Sequence, residues 1–170
     1  MKNFILIVLL FLTRAAFSQD LVVPQNYKFK TKEDFLRYQP DVIKCINWLA
    51  ETPRNQKQQK RKEAEDFSVS WIYKCPYVSV FLEQYVMKIS AKNPDLVLSF
   101  LFGFTKYTLE HPEEKSLLTL NMAGLTNLLN DYEINKSTLT QDDDLDTLIY
   151  IRDSQKLSDW LKPQLTRTKN

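Results

Sequence analysis

The chain contains very little glycine, histidine and cysteine. Gly103 and Gly124 are the only glycines in 170 residues, and there are one histidine and two cysteines. Hairpins between β-strands rely on glycine for turn positions with positive φ, so two glycines argue against a hairpin-rich β fold. One histidine and two cysteines exclude a zinc site built from four His and Cys ligands. The composition favours helices, and we expect no bound metal or cofactor and can nominate no catalytic residue.

The first 18 residues have the pattern of a secretory signal peptide. Lys2 precedes an apolar run over 4–12, and Ala16 and Ser18 suit positions −3 and −1 before a cleavage site. The run is shorter than the roughly 20 residues that span a bilayer. We therefore expect cleavage of 1–18, a mature chain that begins at Gln19 in the periplasm or outside the cell, and no transmembrane segment after cleavage.

The predicted mature chain is electrically neutral. Loss of Lys2 and Arg14 leaves 21 basic residues against 21 acidic ones. A neutral protein has no long-range field that attracts nucleic acid, so we expect no nucleic-acid partner. The partner is otherwise unknown, and another protein is one candidate.

Apolar periodicity predicts one all-α domain over 19–162, a compact bundle of about six to eight helices, with a loose tail over 163–170. The prolines fall between the periodic segments. Thr31 and Asp34 predict a capping box, while Thr52-Pro53 and Asn93-Pro94 each predict an N-cap followed by proline at the first helical position. The predicted helices cover 32–38, 41–51, 54–74, 79–92, 94–110, 113–133, 141–152 and 155–162.

The segment 94–110 is apolar nearly all round, which predicts a buried central helix. Gly103 in its middle predicts that another helix, with 113–133 the candidate, passes close to its backbone. Pro76, Pro94 and Pro112 are 18 residues apart, and twice that spacing approaches the period of helical-hairpin repeats. A helical-repeat adaptor therefore stands as an alternative to ordinary antiparallel hairpins.

Cys45 and Cys75 both lie on predicted apolar helix faces and form a candidate disulfide. In an oxidising compartment, a bridge would stabilise the fold by about 3–4 kcal/mol in the chain-entropy model. The alternative is a pair of buried, unbridged thiols. Cys75-Pro76-Tyr77 resembles the start of a glutaredoxin active site, but Val78 stands where the second cysteine is required.

Two charged stretches invite a functional reading. Asp142, Asp144 and Asp146 match the first three ligand positions of an EF-hand loop, but Thr147 occupies the position that requires glycine. We interpret them as the first turn of a helix, capped by Thr140. The basic run over 54–66 ends in acidic residues, which favours a solvated helix face over a nucleic-acid patch.

The remaining candidates are isolated. His111 lies beside a proline at a helix boundary, which predicts a turn residue. Asn135 begins a glycosylation sequon, which matters only in a eukaryotic source. Glu83 and Glu110 lie near apolar helices, and nothing in the sequence pairs them for glycosidase chemistry.

Four stretches resemble a group of short exported proteins of unknown function from Gram-negative bacteria. They read NWLAETP, KRKEAEDFSVSWI, NPDLVLSFLFGFTKYTLE and NMAGLTNLL. The resemblance covers roughly residues 47–129 and implies a bacterial, exported, helical protein. It carries no active-site residues across, because these stretches are packing and capping patterns.

These observations together favour an exported, non-enzymatic helical protein with a binding or structural role. Apolar residues suited to a packed core are abundant, whereas the sequence shows no set of polar residues that would form a catalytic or metal site together. Two alternatives stay open: a hydrolase that uses paired carboxylates, and a helical-repeat adaptor that binds a peptide or protein. A deep cleft with two acidic residues would favour the first alternative, and a curved stack of hairpins the second.

Overall fold

The computed structural model describes residues 21–166 and is all-helical over that range, as predicted. The predicted signal peptide lies outside the described residues. A non-helical lead-in over 21–31 is followed by seven α-helices: α1 (Lys32–Glu51), α2 (Gln58–Lys74), α3 (Gln84–Ile89), α4 (Leu96–Glu110), α5 (Leu117–Ile134), α6 (Asp143–Asp153) and α7 (Leu157–Thr166).

Proline lies inside two helices, against the expectation that it would separate them. The predicted helices 32–38 and 41–51 form one helix, α1, through Pro40, and α7 continues through Pro163 into the predicted tail. Proline leaves one helical carbonyl without its N–H partner. Burial of apolar side chains next to each proline outweighs that local cost: Val42, two residues after Pro40, and Leu161, two residues before Pro163, are completely buried.

Two predicted helix starts are wrong, and one is confirmed. The capping box of Thr31 and Asp34 opens α1. Thr52 ends α1 instead of starting the next helix, because its N–H donates to the Trp48 carbonyl at 3.0 Å. Asn93 does not cap α4; its side-chain amide exchanges two 2.9 Å hydrogen bonds with the backbone of Thr140, far along the chain.

The segment predicted as a helix over 79–92 is helical only in α3. Residues 79–83 are irregular, and Phe81 and Leu82 are exposed. Tyr85, Val86 and Ile89 in α3 are buried. The apolar pattern therefore predicts the helix correctly only over α3, and residues 79–83 before it are not part of the helix.

Helices α1 and α2 form one antiparallel hairpin and helices α4 and α5 form a second, while α3 packs on α4, and α6 and α7 pack on α5. These helices surround two apolar clusters. The N-terminal cluster joins the lead-in, α1 and α2 to one side of α4, through Phe102 and Leu109. The C-terminal cluster joins the other side of α4, through Phe100 and Phe104, to α3, α5, α6 and α7. Helix α4 is thus the buried central helix that its composition predicted.

Both glycines serve close packing between α4 and α5. A Cβ atom on Gly103 would lie 2.4 Å from Asn127 Cβ and 2.7 Å from the Ala123 carbonyl oxygen, and one on Gly124 would lie 2.7 Å from the Phe100 ring. Neither glycine has positive φ; the left-handed positions belong to Asn26, Lys57 and Gln155. The predicted close approach of 113–133 to Gly103 is confirmed.

Candidate functional site

A buried ion pair joins the α1–α2 loop to α5. Arg54 donates from Nη2 to Asp131 Oδ2 at 2.6 Å and from Nε to the same oxygen at 3.1 Å and to Oδ1 at 3.3 Å. The two side chains are only 15% and 7% exposed. A planar guanidinium matches a carboxylate in this way, whereas a lysine would supply a single point charge.

Polar neighbours satisfy the remaining positions around this ion pair. The Ser99 hydroxyl on α4 also donates to Asp131 Oδ2, and the Asn135 amide donates to Oδ1 at 2.8 Å. Asn135 Oδ1 accepts the backbone N–H of Arg54 at 2.7 Å. We call Arg54, Ser99, Asp131 and Asn135 the polar clamp. Because its members bond to one another, it needs no ligand for neutralisation.

Arg61, on the inward face of α2, completes the polar region. Its guanidinium donates to the carbonyls of Leu49 and Thr52 at the end of α1, and to Glu65 at 3.3 Å. A helix C-terminus has carbonyls without helical partners and a partial negative charge, and a cation there stabilises it. Arg61 therefore caps α1 from the neighbouring helix.

The space beside the polar clamp is too small for a substrate. Arg54, Arg61, Glu65 and Asp131 all line a cavity of about 10 Å³. One water needs that much room, while pockets for small molecules typically occupy about 300–1,000 Å³. The two carboxylates are each paired with an arginine. This arrangement fits a structural junction better than hydrolase chemistry.

A larger pocket opens between α3, α6 and α7 and has a volume of about 240 Å³. We call it the α3–α6–α7 pocket. Its apolar lining comes from Tyr85, Ile89, Leu148, Ile151 and Trp160. Lys88 and Asp144 supply charged groups to the same lining. The rings of Tyr85 and Trp160 meet edge to face, with centroids 5.8 Å apart.

The two cysteines are free and buried, and the candidate disulfide is not formed in the structure. Cys45 lies beside Ser68 of α2, whereas Cys75 follows Ser68 by seven residues at the end of that helix. At 1.5 Å per residue the two positions differ by about 10 Å along α2. Bridged cysteines have Cα atoms less than about 7 Å apart.

Burial also suppresses thiol reactivity. It raises the pKa of the Cys45 thiol to about 12, with Asp41 adding to the effect, and it raises the pKa of Cys75. The thiolate is the nucleophile in disulfide exchange, so a raised pKa disfavours redox catalysis. The stretch Cys75-Pro76-Tyr77 lies where α2 ends, and residues 21–166 contain no strand, so the strand that leads into a glutaredoxin cysteine has no counterpart there.

The acidic run begins α6, as predicted, but a different residue caps it. Asp142 accepts the N–H of Asp144 at 3.0 Å, while Thr140 is held by Asn93. Asp146 pairs with Lys136 at 2.7 Å, and Asp142 lies 3.6 Å from Lys92. The carboxylates thus have helix-capping and ion-pair roles. Within residues 21–166, no cluster of three His, Cys, Asp or Glu side chains could hold a metal ion.

The other nominated residues have local roles. His111 ends α4 and stacks on Tyr107 with ring centroids 4.3 Å apart. Glu110 lies 3.9 Å from Lys106 on the same helix, and Glu83 directly precedes α3. Asn135 is 3% exposed and its amide nitrogen is hydrogen-bonded, so the sequon is closed to glycosylation in the folded chain.

Sequence reasoning missed both buried arginines, because it treated the basic run as a solvated face. Arg61 could have been found, since it lies three residues before Ala64 on the predicted inward stripe of Ala64, Phe67 and Trp71. Arg54 carries no comparable periodic signal. Its partner, Asp131, lies 77 residues away.

Comparison of the chain with known protein families, with curated proteins and with solved structures finds no match. Within residues 21–166, none of the helices is both long and apolar enough to cross a membrane.

Proposed function

We propose that the chain is an exported, non-enzymatic helical protein with a binding role. The observation that supports this most is the polar clamp. The clamp is the kind of buried group of polar side chains that catalysis would require. Its charges are nevertheless paired with one another, and its cavity has room for about one water.

The signal-peptide pattern of residues 1–18 supports export, and mass spectrometry of the exported chain should find Gln19 at its N-terminus.

The test against the hydrolase alternative uses the clamp carboxylate. The purified mature chain is incubated with 4-nitrophenyl glycosides and esters, beside Asp131→Asn and Glu65→Gln. We expect no release of 4-nitrophenol above the level of these variants. Release that is lost in Glu65→Gln or Asp131→Asn, with the circular dichroism of a folded protein retained, would establish the hydrolase and refute the proposal.

One observation favours the adaptor as a second candidate. Two helical hairpins, α1–α2 and α4–α5, follow each other in the chain and pack against each other, and the apolar clusters lie one on each side of α4. The helices are nevertheless unequal, from 20 residues in α1 to 6 in α3, whereas a repeat protein keeps a fixed period. The packing of the hairpins therefore supports a helical scaffold for binding, but the unequal helices do not support a repeat protein.

A further inference from the structure

The α3–α6–α7 pocket combines an apolar floor with charged groups that the described part of the chain leaves unpaired. Tyr85 and Ile89 come from α3, Leu148 and Ile151 from α6, and Trp160 from α7. A concave apolar surface with a few polar groups at its edge is the usual form of a small-molecule site; with about 240 Å³ this pocket is smaller than the common range and suits a small ligand. The pocket uses none of the residues of the polar clamp.

The volume of the α3–α6–α7 pocket limits how large a ligand it can hold. An apolar cavity of about 150 Å³ accommodates benzene, and a water takes up about 30 Å³ of liquid. A volume of about 240 Å³ thus has room for a benzene-sized group and a polar head of a few heavy atoms. A dinucleotide or an oligosaccharide is too large.

The charges at the rim determine the polar head. Lys88 and Asp144 line the same pocket, both are exposed, and within residues 21–166 neither side chain forms an ion pair or a hydrogen bond with another side chain. Asp144 lies in the first turn of α6. A ligand that carries both an ammonium and a carboxylate would meet each charge with its opposite.

We propose that this pocket binds a free α-amino acid with a large apolar side chain, such as phenylalanine or leucine. The side chain packs on Trp160, Tyr85 and Leu148, the carboxylate meets Lys88, and the ammonium meets Asp144. This inference rests on the proposed binding function and gives it a site and a ligand class. A hydrophobic anion without an ammonium group would place its negative charge near Asp144. A hydrophobic amine without a carboxylate would place its positive charge near Lys88.

The three tryptophans provide an internal reporter. Trp160 lines the pocket, while Trp71 donates its indole N–H to the Phe35 carbonyl inside the N-terminal cluster and Trp48 packs against that cluster. In ¹H–¹⁵N spectra of the mature chain, L-phenylalanine should shift the Trp160 indole signal saturably. The signals of Trp48 and Trp71 should stay in place.

Four compounds, each compared with L-phenylalanine, test which groups of the ligand the pocket recognises. L-Phenylalanine should bind about tenfold more tightly than 3-phenylpropionate, which lacks the ammonium, and phenethylamine, which lacks the carboxylate, since each loses one charged contact. L-Alanine should not bind. N-acetyl-L-phenylalanine amide represents a side chain of a protein partner; if it binds as tightly as L-phenylalanine, the pocket recognises a peptide residue and the amino-acid proposal is wrong.

Matched variants test whether Lys88 and Asp144 contact the ligand. Lys88→Met and Asp144→Asn should each weaken L-phenylalanine binding about tenfold. Lys74→Met removes an exposed lysine at the end of α2, and Asp143→Asn changes the neighbouring acid in the same turn of α6; both should leave binding unchanged. Equal effects of Asp143→Asn and Asp144→Asn would contradict the assigned contact.

Absence of any saturable shift of Trp160, with well-dispersed spectra of a folded chain, overturns the amino-acid site. That result would leave the proposed binding function to another surface. The proposed non-enzymatic function is tested separately: hydrolysis of the 4-nitrophenyl substrates that depends on Asp131 or Glu65 would refute it, whatever the result at the pocket.

Discussion

At the scale of single residues, the fold distinguishes arginine from lysine within one basic run. Arg54 and Arg61 point inward and satisfy a carboxylate and two helix-end carbonyls, whereas Lys62 stays exposed beside Asp66. The planar fork of arginine makes several directed hydrogen bonds at once and is less strongly hydrated than an ammonium. Burial of a cation is therefore tolerable at these two positions.

Removal of the clamp carboxylate tests this role. Asp131→Ala leaves Arg54 with the exposed Asp95 carboxylate, 3.8 Å away, as its remaining ionic partner, together with the Asp95 carbonyl and the Ser99 hydroxyl as acceptors. The free energy of unfolding should fall by about 3 kcal/mol in urea denaturation, at the lower end of the range for a broken buried ion pair. Asp66→Ala, which removes an exposed partner of Lys62, is the control and should change stability very little. Equal effects of the two substitutions would mean that the clamp is solvated and does not join the hairpins.

At the scale of secondary-structure elements, both glycines determine how closely α4 and α5 pack. Gly normally costs a helix interior about 1 kcal/mol relative to Ala. Here the absence of Cβ atoms lets Asn127 and the Ala123 carbonyl approach α4, and lets the Phe100 ring lie against α5. The close approach in turn brings Ser99 within hydrogen-bonding reach of Asp131.

The sign of one substitution tests this packing. Gly103→Ala would place a Cβ atom 2.7 Å from the backbone oxygen of Ala123, which cannot rotate away. We expect destabilisation by about 1–3 kcal/mol in chemical denaturation, as for other overpacked cores. In an open helix the same change would stabilise by about 1 kcal/mol, so a more stable variant would contradict the observed contact.

At the scale of the whole molecule, two apolar clusters share one central helix. Val80 packs against both clusters, α4 contributes side chains to each, and the polar clamp ties the α1–α2 loop to α5. Loss of either cluster would expose one side of α4 and its phenylalanines to water. The two clusters should therefore unfold together, although each draws most of its residues from different hairpins.

Cooperativity can be measured with one tryptophan in each cluster. Trp71 belongs to the N-terminal cluster and Trp160 packs against the C-terminal one. Their folded indole signals should disappear at the same urea concentration in ¹H–¹⁵N spectra, as two-state unfolding requires. Distinct midpoints would show that the α1–α2 hairpin is an independent unit.

Local sequence patterns predicted the elements but were less reliable at their ends. Periodic apolar residues identified α2, α4 and α5, and the Thr31 capping box identified the start of α1, because these signals act within about four residues. Proline was misread at Pro40 and Pro163, where packing outweighs a missing hydrogen bond. Residues 79–83 before α3 are likewise not helical, and there Phe81 and Leu82 are exposed, so no burial stabilises a longer helix.

By itself the sequence determined the fold class, the central position of α4 and the scarcity of groups for metal or redox chemistry. Only the tertiary structure decided which polar residues meet. Arg54 finds Asp131 across 77 residues, Asn93 finds Thr140 across 47, and Cys45 and Cys75 are kept apart although both face the same cluster. The α3–α6–α7 pocket likewise exists only because α6 and α7 fold back onto α3. Periodicity sets which side of a helix is buried, whereas the partner across the interface depends on how the hairpins stack.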